Sequence, residues 1–333
     1  MAASLKLPLV PAAFFGMVLG LSGLANAWRV GARIWQLPAV IGEVLTFVTV
    51  AVWLVLIVLY LLKWMVAREE AFKEVAHPVQ CCFIGLVGVA TMLVAAGLLP
   101  YSRIGAETIF LIGAAYTLAF SVWRTGGLWQ GERDIATTTA VLYLPSVAGS
   151  FVTAIVGAAL GFPEWAKLFF GAGFFAWLAI ESALLHRLLT GPALPLPLRP
   201  TLGIQLAPPA VGALAYIGVI QGPTDILVHA MIGYGLLQAL IMIRLLPWIA
   251  KEAFSPAYWA FSFGATALAT APMRLIERGD TGPVAQLAPI LFIAANIVVG
   301  IVAVATIRLI VSRKLVIGWT DLPPRDAGAI GQG

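Results

Sequence analysis

Charge is what this sequence has little of. Only 11% of its 333 residues are Asp, Glu, Lys or Arg, where a water-soluble domain carries about 25% because its surface has to be hydrated. Hydrophobic residues make up 61% and the mean hydropathy is +0.98. In water, a chain of this size has nowhere to bury so many apolar side chains, which excludes a soluble enzyme. A basic stripe is missing too: the net charge is only +5, and no nucleic-acid partner is expected. Cysteine is confined to Cys81 and Cys82, adjacent in an apolar run where they read as small hydrophobes. Histidine is confined to His77, His186 and His229. Each falls near a helix end without a carboxylate or cysteine at ligand spacing. No metal, cofactor or catalytic centre is expected, and the chain is not read as an enzyme.

Long polar stretches are equally scarce. Apolar runs occupy residues 8–28, 40–62, 79–99, 104–123, 140–160, 165–185, 201–220, 225–243, 254–275 and 283–307. A helical crossing needs about 20 apolar residues. A membrane β-barrel would show alternating segments of about 10 instead. The expected fold is all-α and integral to the lipid bilayer, with ten transmembrane helices in one domain over 1–311. The Gly- and Pro-bearing tail 312–333 is expected to lack fixed structure. The first run is read as a span, because many spans follow it and no small-residue cleavage pattern does. Fourteen Lys and Arg residues fall on the side that holds both termini and six on the other, which places both termini in the cytoplasm.

Odd and even runs differ in kind. Pro11, Pro78, Pro145, Pro208 and Pro256 recur near the starts of the odd runs, at intervals of 67, 67, 63 and 48 residues. Lys63, Arg124, Arg187, Arg244 and Arg308 end the even runs, at intervals of 61, 63, 57 and 64. Two markers repeating with the period of one helical hairpin imply five hairpins closed in quasi-fivefold arrangement around a central pore. The odd runs have no charged residue in their interiors and are rich in Pro and Gly. Proline frees backbone carbonyls, which a membrane tolerates only against protein or water. The odd helices are therefore expected inside, although the same small residues also suit plain close packing. Candidate pore-lining residues are Pro11, Phe14, Phe15, Pro78, Phe83, Pro145, Ser150, Phe151, Gln205, Pro208, Ser262 and Thr266, and a phenylalanine projecting into so neutral a lumen would act as a plug. The five hairpin-end cations read either as topology signals or as a cationic vestibule that concentrates anions. Glu181, an acid well inside a span, reads either as a structural hydrogen-bonding group or as a transport residue.

The segments PAAFFGM (11–17), HPV (77–79), LYLPSVAGSF (142–151), FFGAGFFAWLAIE (169–181), IQLAPPAVGALAY (204–216), GYGLLQALIMIRLLPWI (233–249) and YWAFSFG (258–264) together resemble the tellurite-resistance/dicarboxylate transporter family. That family also holds the slow anion channels of plant guard cells. The resemblance implies a homotrimer in the bacterial inner membrane, with a separate anion pore in each subunit. It also implies occlusion by a phenylalanine of the ninth helix, matched here by Phe263, with Phe261 as the alternative. The expected cargo is a small inorganic or organic anion; the competing expectation is a secondary carrier for C4-dicarboxylates such as malate, or for tellurite. Ser182, where such proteins often have proline, and Pro272 and Arg274 in the ninth helix depart from the pattern.

Overall fold

The computed structural model describes residues 6–131, 133–251, 253–315 and 318–321. They form ten long helices joined as five hairpins. These are α1 (Ala12–Trp35) with α2 (Ala39–Val66), α3 (Gln80–Leu98) with α4 (Arg103–Leu128), and α5 (Ala140–Ala159) with α6 (Pro163–Thr190). The remaining two are α7 (Leu196–Val219) with α8 (Ile226–Ile249), and α9 (Ala260–Glu277) with α10 (Pro283–Val311). All but α9 are long and apolar enough to cross a membrane. The sequence of α9 is more polar, and its Ser262, Thr266 and Thr270 are buried against protein neighbours.

The odd helices close a ring. Helix α1 packs on α3, α3 on α5, α5 on α7 and α7 on α9, and α9 returns to α1. Each even helix lies against its own odd partner, on the outside of the ring. Burial follows this division: 56–78% of the most apolar stretch is buried in α1, α3, α5 and α7, against 22–33% in the even helices. The chain is a multi-pass membrane protein whose even helices present Leu, Ile and Val outward, as lipid contact requires.

On the side of the chain ends, every inner helix departs from regular α-geometry. Helix α1 opens with a 3-10 turn, Ala12–Phe14, behind Pro11. Helix α3 splits into Gln80–Phe83 and Leu86–Leu98. Helix α5 passes through a 3-10 turn, Ala140–Leu142, and a π-helical stretch, Leu144–Ala148, that contains Pro145. The first half of α7 is 3-10 over Leu196–Leu206, and α9 follows a 3-10 turn at Pro256–Trp259. Proline lacks the N–H that an α-helix needs and clashes with the carbonyl four residues back, so the chain adopts tighter or wider turns around it.

The opposite ends of the inner helices are finished by arginine. Arg29 Nη1 donates to the Gly97 carbonyl at 3.0 Å, and Arg103 Nη2 to that of Leu160 at 2.8 Å. Arg278 Nη2 donates to the carbonyls of Ile217 and Ile220. Terminal carbonyls have no partner within their own helix and carry partial negative charge, so a guanidinium satisfies both needs. These three positive charges are thereby tied to the helix ends, while Arg33 and Arg274 pair with Glu277 and Lys167 with Glu164. Asp225 caps α8 there, accepting from the N–H groups of Leu227 and Val228. The Tyr216 hydroxyl, and then those N–H groups, hold its carboxyl below the usual carboxylate range.

Glycine sets the closest seams. A Cβ on Gly20 would stand 2.2 Å from Ser262 Oγ, and one on Gly23 would stand 2.1 Å from Thr266 Oγ1. Close packing by small residues and a ring of inner helices are thus the same feature. The expected unstructured tail needs correcting at one place. Gly318–Asp321 forms a strand antiparallel to Lys6–Leu9, with Lys6 opposite Asp321. Backbone pairing, which the Gly/Pro composition of the tail did not reveal, holds the two ends of the chain together on one side. Residues 322–333 lie outside the described residues.

On α9, a Cβ on Gly264 would lie 2.5 Å from Leu206 Cβ and 2.8 Å from its carbonyl carbon. Backbone atoms cannot rotate away, so Gly264→Ala is expected to destabilise the fold by about 1–3 kcal/mol. The measurement is thermal unfolding of the detergent-purified protein, and an unchanged Tm would contradict the α7–α9 seam described.

Candidate functional site

On the axis of the ring, opening toward the chain ends, lies a cavity of about 380 Å³. All five inner helices or their leading turns line it. Pro11, Phe14 and Leu19 come from α1, Phe83 and Leu86 from α3, and Tyr143, Val147 and Phe151 from α5. Pro208 and Val211 come from α7, and Ala260 and Phe263 from α9. Followed inward, the lining ends at Leu19, Leu86, Phe151, Val211 and Phe263, one apolar side chain from each inner helix. The wall has no carboxylate, and its one charged member is the exposed Lys314 at the mouth. Five helices enter this space by their N-terminal ends, each carrying partial positive charge of about half an electron. The chamber is therefore mostly apolar in its side chains, with Gln80, Tyr143, Thr201 and Ser255 as its neutral polar members, and electropositive in its backbone.

The sequence model of the family described as voltage-dependent anion channel (SLAC1) matches residues 10–307. This chain belongs to that family. It is 35% identical over 299 residues to the tellurite resistance protein TehA homolog of Haemophilus influenzae, covering 90% of each chain. It is 26% identical over 314 residues to the guard cell S-type anion channel SLAC1 of Arabidopsis thaliana, covering 89% of this chain and 55% of that one. The chain thus spans about half the length of this plant relative. An uncharacterized transporter of Methanocaldococcus jannaschii is 24% identical over 275 residues, with 75% of this chain and 80% of that one covered.

Phe263 and Phe261 are the two phenylalanines expected to occlude the pathway. Phe263 borders the cavity. Phe261, two residues earlier and so about 200° around the helix, lies in the α7–α9 seam. It stacks on Tyr258 with centroids 6.4 Å apart and fills the space over Gly203. Phe14, Phe83, Phe151, Pro11 and Pro208 also border the cavity, whereas Phe15, Pro78 and Pro145 do not. Phe15 is fully buried edge-on against Tyr60. Pro78 offers its carbonyl to two arginines, and Pro145 is packed inside the π-helical stretch.

The expected polar lining needs correcting. Ser150, Gln205, Ser262 and Thr266 do not border this cavity. Ser262 donates to the Trp259 carbonyl, and Thr266 to those of Ser262 and Phe263. Hydroxyls bonded back to their own helix are satisfied without water, so they sit in helix seams as readily as on a pore wall.

The hairpin-end cations do not form one vestibule either. Arg187 is buried and donates to the Pro192 carbonyl, and Arg124 donates to that of Pro78. Arg244 and Arg308 are exposed, and none of the five borders the cavity. Lys63 is buried in an ion pair with Glu74 at 2.7 Å. Glu74 also accepts from the Ala12 N–H at 2.7 Å, fixing the first turn of α1 beside the mouth. This acid sits in a short surface helix, Arg68–Ala76, and its sequence neighbours gave no sign that it reaches back 62 residues.

Glu181 is held from three helices. Its oxygens accept from the hydroxyls of Tyr143 on α5 at 2.5 Å and Tyr234 on α8 at 2.6 Å. They accept further from Trp177 Nε1 on α6 at 3.0 Å and Gln238 Nε2 on α8 at 3.5 Å. A carboxylate so saturated with donors is at home inside a membrane protein. Tyr143, which lines the cavity, is the side chain that connects it to the chamber.

Removing one partner of a buried pair strands the other charge and costs about 3–5 kcal/mol. Glu74→Ala is therefore expected to lower the Tm strongly, and the double variant Lys63→Met/Glu74→Leu to lower it less. The comparison is thermal unfolding of the three proteins; a double variant worse than the single one would contradict the buried pair.

Proposed function

We propose that the protein is an anion channel that conducts small anions along the axis of each subunit, with Phe263 as the occluding side chain. The observation that carries this reading is the convergence of five helix N-termini on one apolar chamber whose lining ends at Phe263. Positive helix ends attract anions without fixing them. A wall without carboxylates, whose oxygens belong to a few neutral side chains such as Gln80 and Thr201, offers a cation little in exchange for its water. A carrier that grips a dianion usually places strong charge or unwound helix ends at mid-membrane. Here Lys314, the charged side chain of the wall, stands exposed at the mouth, which favours weak binding and flux. Resemblance to the tellurite resistance protein TehA homolog is compatible with oxyanions such as tellurite among the permeant species.

The ring closes within one chain, so each copy would carry its own pathway in the expected homotrimer. The side of the chain ends is read as cytoplasmic, in the bacterial inner membrane, following the excess of Lys and Arg there.

An apolar constriction conducts poorly because an ion must shed water to pass it. Phe263→Ala is expected to raise anion current in planar bilayers by about tenfold or more, the effect of lowering a barrier by about 1.4 kcal/mol. Phe261→Ala is expected to leave it unchanged. Equal currents from the wild type and Phe263→Ala would overturn the gate. Saturable malate or tellurite uptake into liposomes, driven by a pH gradient and without measurable current, would replace the channel by a carrier.

A further inference from the structure

We propose that Arg124 and Arg133 form an oxyanion-binding site at the rim of the chamber, selective for phosphate- or sulfate-type dianions. Arg124 Nη2 and Arg133 Nη1 both donate to the Pro78 carbonyl, each at 3.1 Å. Two guanidiniums bonded to one oxygen have those nitrogens within about 6 Å of each other. Such a pair repels unless an anion joins it.

Among the described residues no carboxylate lies within ion-pair distance of either arginine. Asp134, next in the chain, is occupied in capping the turn Ile135–Thr137 through the Ala136 N–H. Glu74, on the same side of the protein, is committed to Lys63. The Nε atoms of both arginines are buried without a hydrogen-bond partner. A guanidinium has five N–H donors. Arg124 spends one on Pro78 and meets the Cys82 thiol, while Arg133 spends one on Pro78 and another on the Thr137 carbonyl. Burial, and the Arg124 charge beside it, already depress the basicity of Arg133 despite the neighbouring Cys82.

Elsewhere on this side Lys63 has Glu74, and Arg199 lies 4.0 Å over the Trp248 ring while donating to two carbonyls; Arg187 also keeps buried nitrogens without a partner, but no second guanidinium shares its acceptor, the Pro192 carbonyl. Among the described residues, two guanidiniums with unspent donors converge on one carbonyl only at Pro78. Planar forks match oxyanions that present several oxygens to both at once. Monovalent halide offers one point of contact and is expected to bind more weakly.

The neighbours of Pro78 in the chain, Val79 and Gln80, line the chamber. An oxyanion held there would stand at the entrance to the pathway. Only its role, raising the local anion concentration at the mouth, rests on the conduction reading; its binding does not. A free oxyanion and the phosphate of an anionic lipid share the required chemistry.

The test is calorimetric titration of sulfate into the full-length detergent-solubilised protein at constant ionic strength. Arg133→Gln and Arg124→Gln are each expected to weaken sulfate binding at least tenfold. Arg133→Lys, which keeps the charge and loses the fork, is expected to fall between them and the wild type. Arg313→Gln, an exposed cation of the same side, serves as the unaffected control. Wild-type sulfate affinity in both glutamine variants overturns the site; should Arg124→Gln fail to fold, Arg133→Gln alone decides. Repeating the titration in nanodiscs separates the two sources. Phosphatidylglycerol that competes with sulfate in the wild type but not in Arg133→Gln assigns the site to lipid phosphate. Equal sulfate affinity in phosphatidylglycerol and phosphatidylcholine assigns it to the free anion. Sulfate binding without any current would defeat the channel and leave the site standing, and current without sulfate binding the reverse.

Discussion

A backbone that leaves the α-helix inside a membrane has to find new partners for its polar groups, because lipid offers none. Each inner helix of this protein does so on the same side. Prolines, 3-10 turns and a π-helical stretch occupy the first turns of α1, α3, α5, α7 and α9 or the turns leading into them. Such turns survive only when shielded by other helices or facing water. That constraint accounts for the two-layered architecture, in which five irregular helices stand inside a sleeve of five long regular ones. It also accounts for the chamber, since turns that no longer pack as parallel cylinders leave space between them.

Polarity runs along the axis. The inner helices all point the same way, so their positive ends converge on the chamber and their negative ends lie on the far side. There Arg29, Arg103 and Arg278 cover the terminal carbonyls of α3, α5 and α7. Those three arginines are thus spent on helix ends, and Arg33, Arg274 and Lys167 on carboxylates, while the chamber owes its field to backbone dipoles. An electropositive space without fixed cations in its depth combines attraction with low affinity, which the proposed conduction requires.

Much of this was legible in the sequence because it depends on spacing. The recurrence of Pro11, Pro78, Pro145 and Pro208 exposed the hairpin repeat and the inner position of the odd helices, and composition exposed the membrane. The facing of individual polar groups was not legible. Ser262 and Thr266 suit a wet wall by type, yet their hydroxyls bond to carbonyls of the same helix and pack against Gly20 and Gly23. Position along a helix gives an angle, and which angle faces the axis depends on neighbours distant in sequence. The five hairpin-end cations likewise share a register and not an environment: Lys63 and Arg187 are buried, Arg244 and Arg308 exposed. Glu181 could not be resolved from sequence because its donors Tyr143 and Tyr234 lie 38 and 53 residues away.

On the conduction reading, the chamber is wet from the side of the chain ends and closes at the level of Phe263. The most direct measurement is thiol accessibility along α9. Cys81 and Cys82 are fully buried, so an introduced cysteine would report alone. Ala260 borders the chamber, whereas Ala269 lies beyond Phe263 on the same helix and is fully buried. Ala260→Cys is predicted to react with a membrane-impermeant anionic thiol reagent applied on the side of the chain ends, and not from the other side, while Ala269→Cys stays inert from both. An inert Ala260→Cys, or an Ala269→Cys that reacts as fast, would contradict the account.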